Sequence, residues 1–131
     1  MEIINRNDVK AFITKDGSEI REILAPRNSS IQRQSLAEAL LQPGQANEEH
    51  THPNTEEIYY ILSGCGRMKI EGEERDIKPL DGVAIPPGAS HQTRNTGGEP
   101  LIFLCCCVPA YTDEDTVMSN EKRVTSNETA L

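Results

Sequence analysis

Three histidines, the only ones in the chain, stand in two short segments that could hold a metal ion. His50 and His52 are two residues apart, so in an extended segment both imidazoles project to the same side. Glu57 follows five residues later, and His91 belongs to a distant segment. Three imidazoles and one carboxylate suit a divalent first-row metal ion and leave positions open for water or substrate. These four residues are the predicted metal ligands. Any one of these histidines, considered alone, could instead be a surface residue in a turn that binds no metal.

Glycines and prolines recur at fixed distances around these candidate ligands. The first segment reads Gly44, five residues, His50, one residue, His52, four residues, Glu57, six residues and Gly64; the second reads Pro86, one residue, Gly88, two residues, His91, three residues and Asn95. Both spacings resemble the two motifs of the cupin family. One departure is Leu80, which stands where the second motif opens with glycine. We expect Gly82 to supply the flexibility of that turn instead.

The resemblance implies a fold, a cofactor and an assembly. The fold would be all-β, a single small antiparallel β-barrel of the jelly-roll type. One divalent transition metal (Mn, Fe, Ni, Cu or Zn) would lie inside it, held by the four residues above. Glu56 is the competing carboxylate, and its spacing from the glycine that closes the first motif favours Glu57 as the ligand. Small cupins also imply a homodimer with a small-molecule ligand.

The segments that must position these residues read mainly as strands. After residue 57, short apolar runs separated by glycine and proline predict an all-β sandwich or barrel. Residues 67–70 and 75–78 predict a hairpin with a turn at 71–74. Residues 83–85 predict a short strand. The apolar run 101–108 predicts a strand that is covered on both faces.

The first third of the chain is less regular. Residues 18–24 could form a strand, whereas residues 35–42 contain strong helix formers and begin like a capping box. Pro43 and Gly44 limit this second segment to about two helical turns, which is marginal for a helix, so we predict a strand. We assign residues 1–111 to the barrel domain and expect the polar residues 112–131 to form a surface appendage or a partly mobile tail.

Strand alternation predicts which other side chains lie near the metal. If Glu57 faces the cavity, Tyr59 and Ile61 face the same way. Tyr59 is the candidate catalytic residue, since its phenol could orient a bound ligand or contact a metal ligand; a core tyrosine with a satisfied hydroxyl is the alternative. From His91, the same alternation turns Thr93 toward the interior.

Three consecutive cysteines end the apolar run 101–108. They could bind a soft metal, take part in redox chemistry or pack as small hydrophobic residues, and packing is favoured. The resemblance to small cupins implies that Cys106 faces the cavity while Cys105 and Cys107 face away. Adjacent residues in a strand cannot easily pair with each other, so we predict reduced thiols in a reducing compartment.

Length and charge exclude several classes of protein. The 131 residues fit one domain with one core. A net charge of −8 repels phosphate backbones and anionic lipids, so we expect no nucleic-acid partner and no membrane partner. The longest apolar run is far shorter than the roughly 20 residues of a membrane-spanning helix. The first residues do not read as a secretory signal, so we predict a cytoplasmic protein.

These observations predict a metal-dependent enzyme of the oxygenase or isomerase type that acts on a small polar metabolite. The alternative is a non-catalytic module that binds a metal and a metabolite. The complete ligand set favours catalysis, whereas the lack of an evident second acid or base beside Tyr59 favours the binding module. Small oxygen donors such as carboxylates or hydroxy acids are expected to bind the metal directly.

Overall fold

The computed structural model describes residues 1–119 of the chain, which form a short 3₁₀ helix, Arg6–Asp8, and eleven strands. The strands are β1 Phe12–Ile13, β2 Glu19–Leu24, β3 Ser35–Leu41, β4 His50–Thr51, β5 Glu56–Ser63, β6 Gly66–Ile70, β7 Glu73–Ile77, β8 Gly82–Ile85, β9 His91–Asn95, β10 Leu101–Val108 and β11 Val117–Met118. The predicted all-β class is confirmed. Among these residues, no helix is long and apolar enough to cross a membrane.

Two antiparallel sheets face each other and enclose the core. One has the strand order β1-β2-β3-β10-β5-β8 and the other the order β11-β4-β9-β6-β7. Inward side chains of both sheets interdigitate, with Leu41, Ile61, Leu101 and Phe103 fully buried between them. The predicted jelly-roll barrel is confirmed, in a form whose two sheets do not close into one hydrogen-bonded cylinder over the part of the chain that the structure describes.

Strand β3 forms where local propensity favours a helix. It pairs along one edge with β2 and along the other with β10, with Ala39 opposite both Ile20 and Phe103. Two complete ladders and the burial of Ala39 and Leu41 outweigh the small helix preference of two turns. The strand prediction for this segment is confirmed.

Strand β5 shows the alternation predicted for it. Glu57, Tyr59 and Ile61 are buried, whereas Ile58 and Tyr60 keep 52% and 39% of their surface exposed. The pleat thus turns the carboxylate of Glu57 inward and that of Glu56 to solvent. This face of β5 points toward the sheet that carries the histidines.

Strand β10 is covered on only one face within residues 1–119. Its inward residues are buried, while Ile102, Leu104 and Cys106 are half-buried and Val108 is 50% exposed. The prediction of coverage on both faces is therefore wrong. The apolar run reflects an outer sheet surface that is apolar without being covered by another element of the described chain.

The turn before β8 departs from expectation. Leu80 adopts a left-handed backbone conformation, with φ of +76°, whereas Gly82 does not have a positive φ. The expectation that Gly82 supplies the flexibility is wrong, because the turn geometry places the left-handed residue two positions earlier. The Leu80 amide donates to the carbonyl of Ile61 at 2.8 Å, which holds the turn against β5.

The barrel extends beyond the boundary predicted at residue 112. Strand β11 pairs with β4, and Thr116 and Met118 are 1% and 5% exposed. These two side chains pack beside the histidine strand β4 and are buried there. Residues 120–131 of the predicted tail lie outside the described residues.

Candidate metal centre

The three histidines meet at one end of the barrel although they come from two separated strands. His50 in β4 and His91 in β9 are direct partners in the five-stranded sheet, and His52 follows β4 immediately. Their ring centroids lie 4.2 to 5.4 Å apart, and one nitrogen from each ring lies within 4.8 Å of the other two. All three side chains are buried, with 4% or less of their surface exposed.

Backbone carbonyls orient two of these rings. Nδ1 of His50 lies 2.7 Å from the carbonyl oxygen of Glu48, and Nδ1 of His91 lies 2.9 Å from that of Ala89. A carbonyl oxygen only accepts, so in each neutral ring Nδ1 carries the proton and Nε2 presents a lone pair. The partner groups thereby fix the tautomer that binds a metal ion through Nε2.

The ring of His52 is held by the chain segment between β10 and β11. Nδ1 of His52 lies 3.3 Å from the carbonyl oxygen of Asp115 and 3.3 Å from Oγ1 of Thr116. Asp115 in turn accepts hydrogen bonds from the backbone and side chain of Asn54. The residues beyond the predicted domain boundary therefore take part in positioning a candidate ligand.

Glu57 completes the cluster from the opposite sheet. Its Oε1 lies 3.4 Å from Nε2 of His52 and 3.5 Å from Nε2 of His91. Oε1 of Glu57 and Nε2 of His91 have no hydrogen-bond partner although both are buried. A buried carboxylate oxygen that faces two imidazole nitrogens suits a cation held among these atoms. The residues present therefore fit a divalent metal ion.

The electrostatic environment keeps two of these residues in the form that ligates a metal. Burial, and next the positive charge that His91 can carry, lower the pKa of His50 to about 4. Burial alone would raise the pKa of Glu57, but the facing rings of His52 and His91 outweigh it and lower that pKa to about 2. At neutral pH His50 is neutral and Glu57 is ionised.

A cavity opens beside the cluster, between the two sheets. Including its mouth it has about 490 Å³ of empty space. Its lining includes the carboxylates of Asp16, Glu22 and Glu57, the phenol of Tyr59 and small or apolar side chains such as Ala37. No lysine or arginine is among the described residues that line it.

Sequence reasoning missed Asp16. Its Oδ2 lies 3.3 Å from Nε2 of His50, and its side chain is 13% exposed. It stands in the turn between β1 and β2, 34 residues before His50, and belongs to neither spaced motif. The sequence contains no signal that would have singled it out from the other acidic residues.

Tyr59 lines the cavity, as expected from the alternation of β5. Its ring packs on Phe103 at 4.6 Å between centroids and meets His91 edge-on at 6.1 Å. Burial, and next the charge of Glu57, raise the pKa of its phenol well above the ordinary value. The phenol therefore keeps its proton and can act as a hydrogen-bond donor.

Three predicted cavity residues lie elsewhere. Ile61 and Thr93 are buried inside the barrel but do not line the cavity: Ile61 packs in the apolar core, and the Thr93 hydroxyl contacts the sulfur of Met68 at 3.2 Å. Cys106 faces outward instead of toward the cavity.

The strand register gives the reason for the outward direction of Cys106. Cys107 lies opposite Glu57 and Cys105 opposite Tyr59, and residues directly opposite in an antiparallel pair point to the same face. Cys105 and Cys107 therefore line the cavity, while Cys106 lies opposite the exposed Ile58. All four cysteines are free thiols.

Comparison with known proteins identifies relatives. A family model described as the cupin domain matches residues 37–107, which include all four predicted ligands. An uncharacterized protein of Methanocaldococcus jannaschii is 46% identical over 108 residues, covering 82% of this chain and 86% of that protein. A glucose-6-phosphate isomerase of Thermococcus gammatolerans is 34% identical, covering 67% of this chain and 53% of the isomerase, so the match spans about half of that relative.

Solved structures share the fold. A crystal structure of a predicted oxalate decarboxylase from Thermotoga maritima superimposes with a TM-score of 0.73 and 27% sequence identity. The superposition covers 82% of this chain and 99% of that one. The arrangement of strands around the histidine cluster is thus shared over most of both molecules.

Proposed function

Because the chain belongs to the cupin family, and because its three buried imidazoles converge with the Glu57 carboxylate against two of them, we propose that it is a metal-dependent enzyme of the isomerase type. One divalent transition metal per chain is held by His50, His52, Glu57 and His91. The observation that carries this proposal is the pair of unpartnered buried atoms, Oε1 of Glu57 and Nε2 of His91. When bound, a divalent ion supplies Lewis-acid polarisation of a substrate oxygen.

The charge of the cavity defines the class of substrate. Asp16, Glu22 and Glu57 give the described lining three carboxylates and no basic side chain. Glu22 is paired with Arg27, and apart from the proposed metal ion the described lining offers no cationic side chain of lysine or arginine to attract an anionic substrate. We therefore propose a small neutral metabolite with adjacent hydroxyl and carbonyl groups, rather than the carboxylates expected from the sequence.

Tyr59 has the role of hydrogen-bond donor in this proposal. Its protonated phenol lines the cavity beside the metal ligands and can hold a substrate oxygen as negative charge develops there. Similarity to an isomerase supports proton transfer over oxygen chemistry. The apolar part of the cavity wall, which includes Ala39 and Phe103, excludes bulk water from the reacting atoms.

Isotope exchange tests the reaction class. Protein purified without a metal-affinity step is analysed for its metal, reconstituted with Mn, Fe, Ni, Cu or Zn, and incubated in D₂O with neutral hydroxy-carbonyl compounds. Mass spectrometry is expected to detect metal-dependent isomer formation with deuterium incorporation. Oxygen consumption without isomer formation would instead identify an oxygenase. Tight binding without any conversion would identify the alternative, a non-catalytic metal- and metabolite-binding module.

A homodimer belongs to the same proposal. The N-terminal strands β1 and β2 pair with each other and with β3 of their own chain. The outer face of the six-stranded sheet supports a dimer, since Ile58, Tyr60 and Val108 expose 52%, 39% and 50% of their surfaces there. A second copy presents the same apolar patch, which a two-fold axis would place against its equivalent.

Light scattering of the full chain and of Ile58→Glu tests this assembly. The wild type is expected to have the mass of two chains and the variant that of one, because a charge at the centre of an apolar interface is costly to bury. Glu56→Gln, on the same exposed face, is the control. A monomeric wild type at micromolar concentration contradicts the proposal.

Two further assignments remain proposals. The barrel is the single domain of the described chain, and residues 120–131 follow it. Four free cysteines support a reducing compartment, and we propose the cytosol.

A further inference from the structure

Asp16 lies closer to the histidine cluster than its place in the sequence suggests. Its Oδ2 is 3.3 Å from Nε2 of His50, and the side chain lines the cavity with 13% of its surface exposed. The distance matches those between Oε1 of Glu57 and the nitrogens of His52 and His91, 3.4 and 3.5 Å. The cluster thus has a carboxylate against His50 as well as one against the other two rings.

The carboxylate of Asp16 is held so that one oxygen remains for the cluster. Its Oδ1 accepts from Oγ1 of Thr14 at 2.7 Å and from the backbone N–H of Ser18 at 3.0 Å. These two bonds fix the plane of the carboxylate and direct Oδ2 toward His50. A side chain that merely faced solvent would not require this support.

The backbone ties Asp16 to His50 through a common neighbour. The carbonyl oxygen of Asp16 accepts from the N–H of Glu48 at 2.8 Å, and the carbonyl oxygen of Glu48 accepts from Nδ1 of His50. One residue therefore sets the position of the acid and the orientation of the ring. Both groups are placed relative to each other before any ligand arrives.

Nε2 of His50 and Oδ2 of Asp16, the two atoms that face each other, both carry lone pairs. Nδ1 of His50 donates to a carbonyl, so Nε2 of the neutral ring presents its lone pair on the side where Oδ2 of Asp16 lies. The 3.3 Å between these two atoms suits two neighbouring ligands of one cation. The same relation holds between Glu57 and His91, where the proposed metal ion lies.

We propose that Asp16 is a fifth protein ligand of the metal centre and binds through Oδ2. This inference rests on the proposed function and extends its ligand set. Adjacent ligands of an octahedral ion with bonds of about 2.1 Å lie about 3 Å apart, close to the Asp16–His50 distance. The set becomes three imidazoles and two carboxylates, which neutralise a divalent ion and leave one octahedral position for substrate.

Two carboxylates also change the preference for the metal. Oxygen ligands favour harder ions such as Mn²⁺ and Fe²⁺ over Cu²⁺ compared with a set of nitrogen ligands alone. Removing Asp16 is therefore expected to weaken Mn²⁺ binding more than Cu²⁺ binding. Such a change in selectivity is not expected from a residue that only shapes the cavity.

The test compares Asp16→Asn with Glu22→Gln in the full chain. Both substitutions remove one carboxylate charge from the same cavity, but Glu22 is paired with Arg27 and is not among the groups at the cluster. Calorimetric titration with Mn²⁺ is expected to give at least about 100-fold weaker binding for Asp16→Asn and a change below about threefold for Glu22→Gln. The d–d absorption of bound Co²⁺ is expected to change shape only in Asp16→Asn.

The outcomes separate the inference from the proposed function. Wild-type affinity and an unchanged Co²⁺ spectrum in Asp16→Asn, or equal weakening in both variants, overturn ligation by Asp16 while the four-ligand site stands. A wild-type chain that binds no divalent metal overturns both. If Asp16→Asn does not fold, Thr14→Val keeps the charge and removes one support of Oδ1. Its Mn²⁺ affinity is then expected to fall severalfold, and an unchanged value counts against the inference.

Discussion

Cys107 and Glu57 lie directly opposite each other on β10 and β5, and the thiol donates a hydrogen bond to Oε2 of Glu57 at 3.2 Å. Burial, and next the charge of Glu57, raise the pKa of the Cys107 thiol, so it keeps the proton that it donates. The bond occupies Oε2 and leaves Oε1 directed toward the histidines. A thiol in the strand thus orients a candidate metal ligand.

Replacing Cys107 by alanine is expected to weaken metal binding about tenfold, because the Glu57 carboxylate loses the donor that orients it. Serine at this position keeps a donor and should retain most of the affinity. Cys106→Ala is the matched control, since that side chain lies on the outer face of the same strand. Calorimetric titration with Mn²⁺ measures all three, and equal affinities for Cys107→Ala and the control would refute the orienting role.

Metal affinity is expected to fall as the pH decreases, beginning above the ordinary histidine pKa of 6.5. Burial would lower the pKa of His52, but the facing carboxylate of Glu57 raises it, so a metal ion must displace a proton from this ring at a higher pH than from an ordinary histidine. The pKa of His50 is about 4, so protons compete for that ring only in stronger acid.

Titration calorimetry from pH 8 to pH 5 in buffers of different ionisation enthalpy measures this competition. Proton release that grows as the pH falls toward the pKa of His52 is the expected result. Affinity that does not vary over this range would contradict imidazole coordination by His52.

Much of the candidate site could be predicted because strand geometry converts spacing into position. His50 and His52 are two residues apart, and Glu57 shares a face with Tyr59, so period-two alternation brings these side chains inward. Asp16 could not be predicted in this way. Its approach to His50 depends on a turn between two short strands and on a long-range contact with Glu48, neither of which has a local pattern.

For the fold too, some features could be predicted from the sequence and others could not. Strand β3 could be predicted because Pro43 and Gly44 limit the helical alternative to two turns. The inward face of β10 could not, since three consecutive cysteines have no polar alternation, and only the pairing of Cys107 with Glu57 settles the parity. In the sequence, a strand with an apolar outer face has the same pattern as a strand that is covered by a second layer.

Gly64→Ala is expected to destabilise the protein by about 3 kcal/mol or more. A Cβ at this position would lie 2.5 Å from the carbonyl oxygen of Pro100 and 2.8 Å from Cα of Leu101, and the backbone has φ of +83°. Backbone atoms cannot move aside, so steric overlap adds to the cost of the left-handed conformation. Gly88→Ala, with φ of +80° but open space, is expected to cost only about 1 kcal/mol. Urea denaturation compares the two, and similar losses would contradict the close approach at Gly64.

Leu80→Gly is expected to raise the free energy of unfolding by about 0.5 to 1 kcal/mol. The left-handed conformation of Leu80 costs about 1 to 2 kcal/mol, and glycine relieves it, less the greater chain entropy of glycine in the unfolded state. The side chain is 74% exposed, so little packing is lost. Leu80→Ala removes the same exposed surface but keeps Cβ, and thermal denaturation should show no gain for it. A gain of equal size in both variants would assign the effect to the exposed side chain.

Tyr59→Phe is expected to leave the metal in place and to lower turnover. The phenol lines the cavity while the ring packs on Phe103, so removing one oxygen preserves the packing and all proposed ligands. If the phenol holds a substrate oxygen as charge develops, kcat should fall about 100-fold while KM changes little, the pattern of an interaction made mainly in the transition state. Glu57→Gln is the contrasting variant, because it should lose metal affinity together with activity. Deuterium incorporation, metal content and KM are measured on the same preparations, and a Tyr59→Phe protein that keeps wild-type kcat would assign the phenol to packing alone.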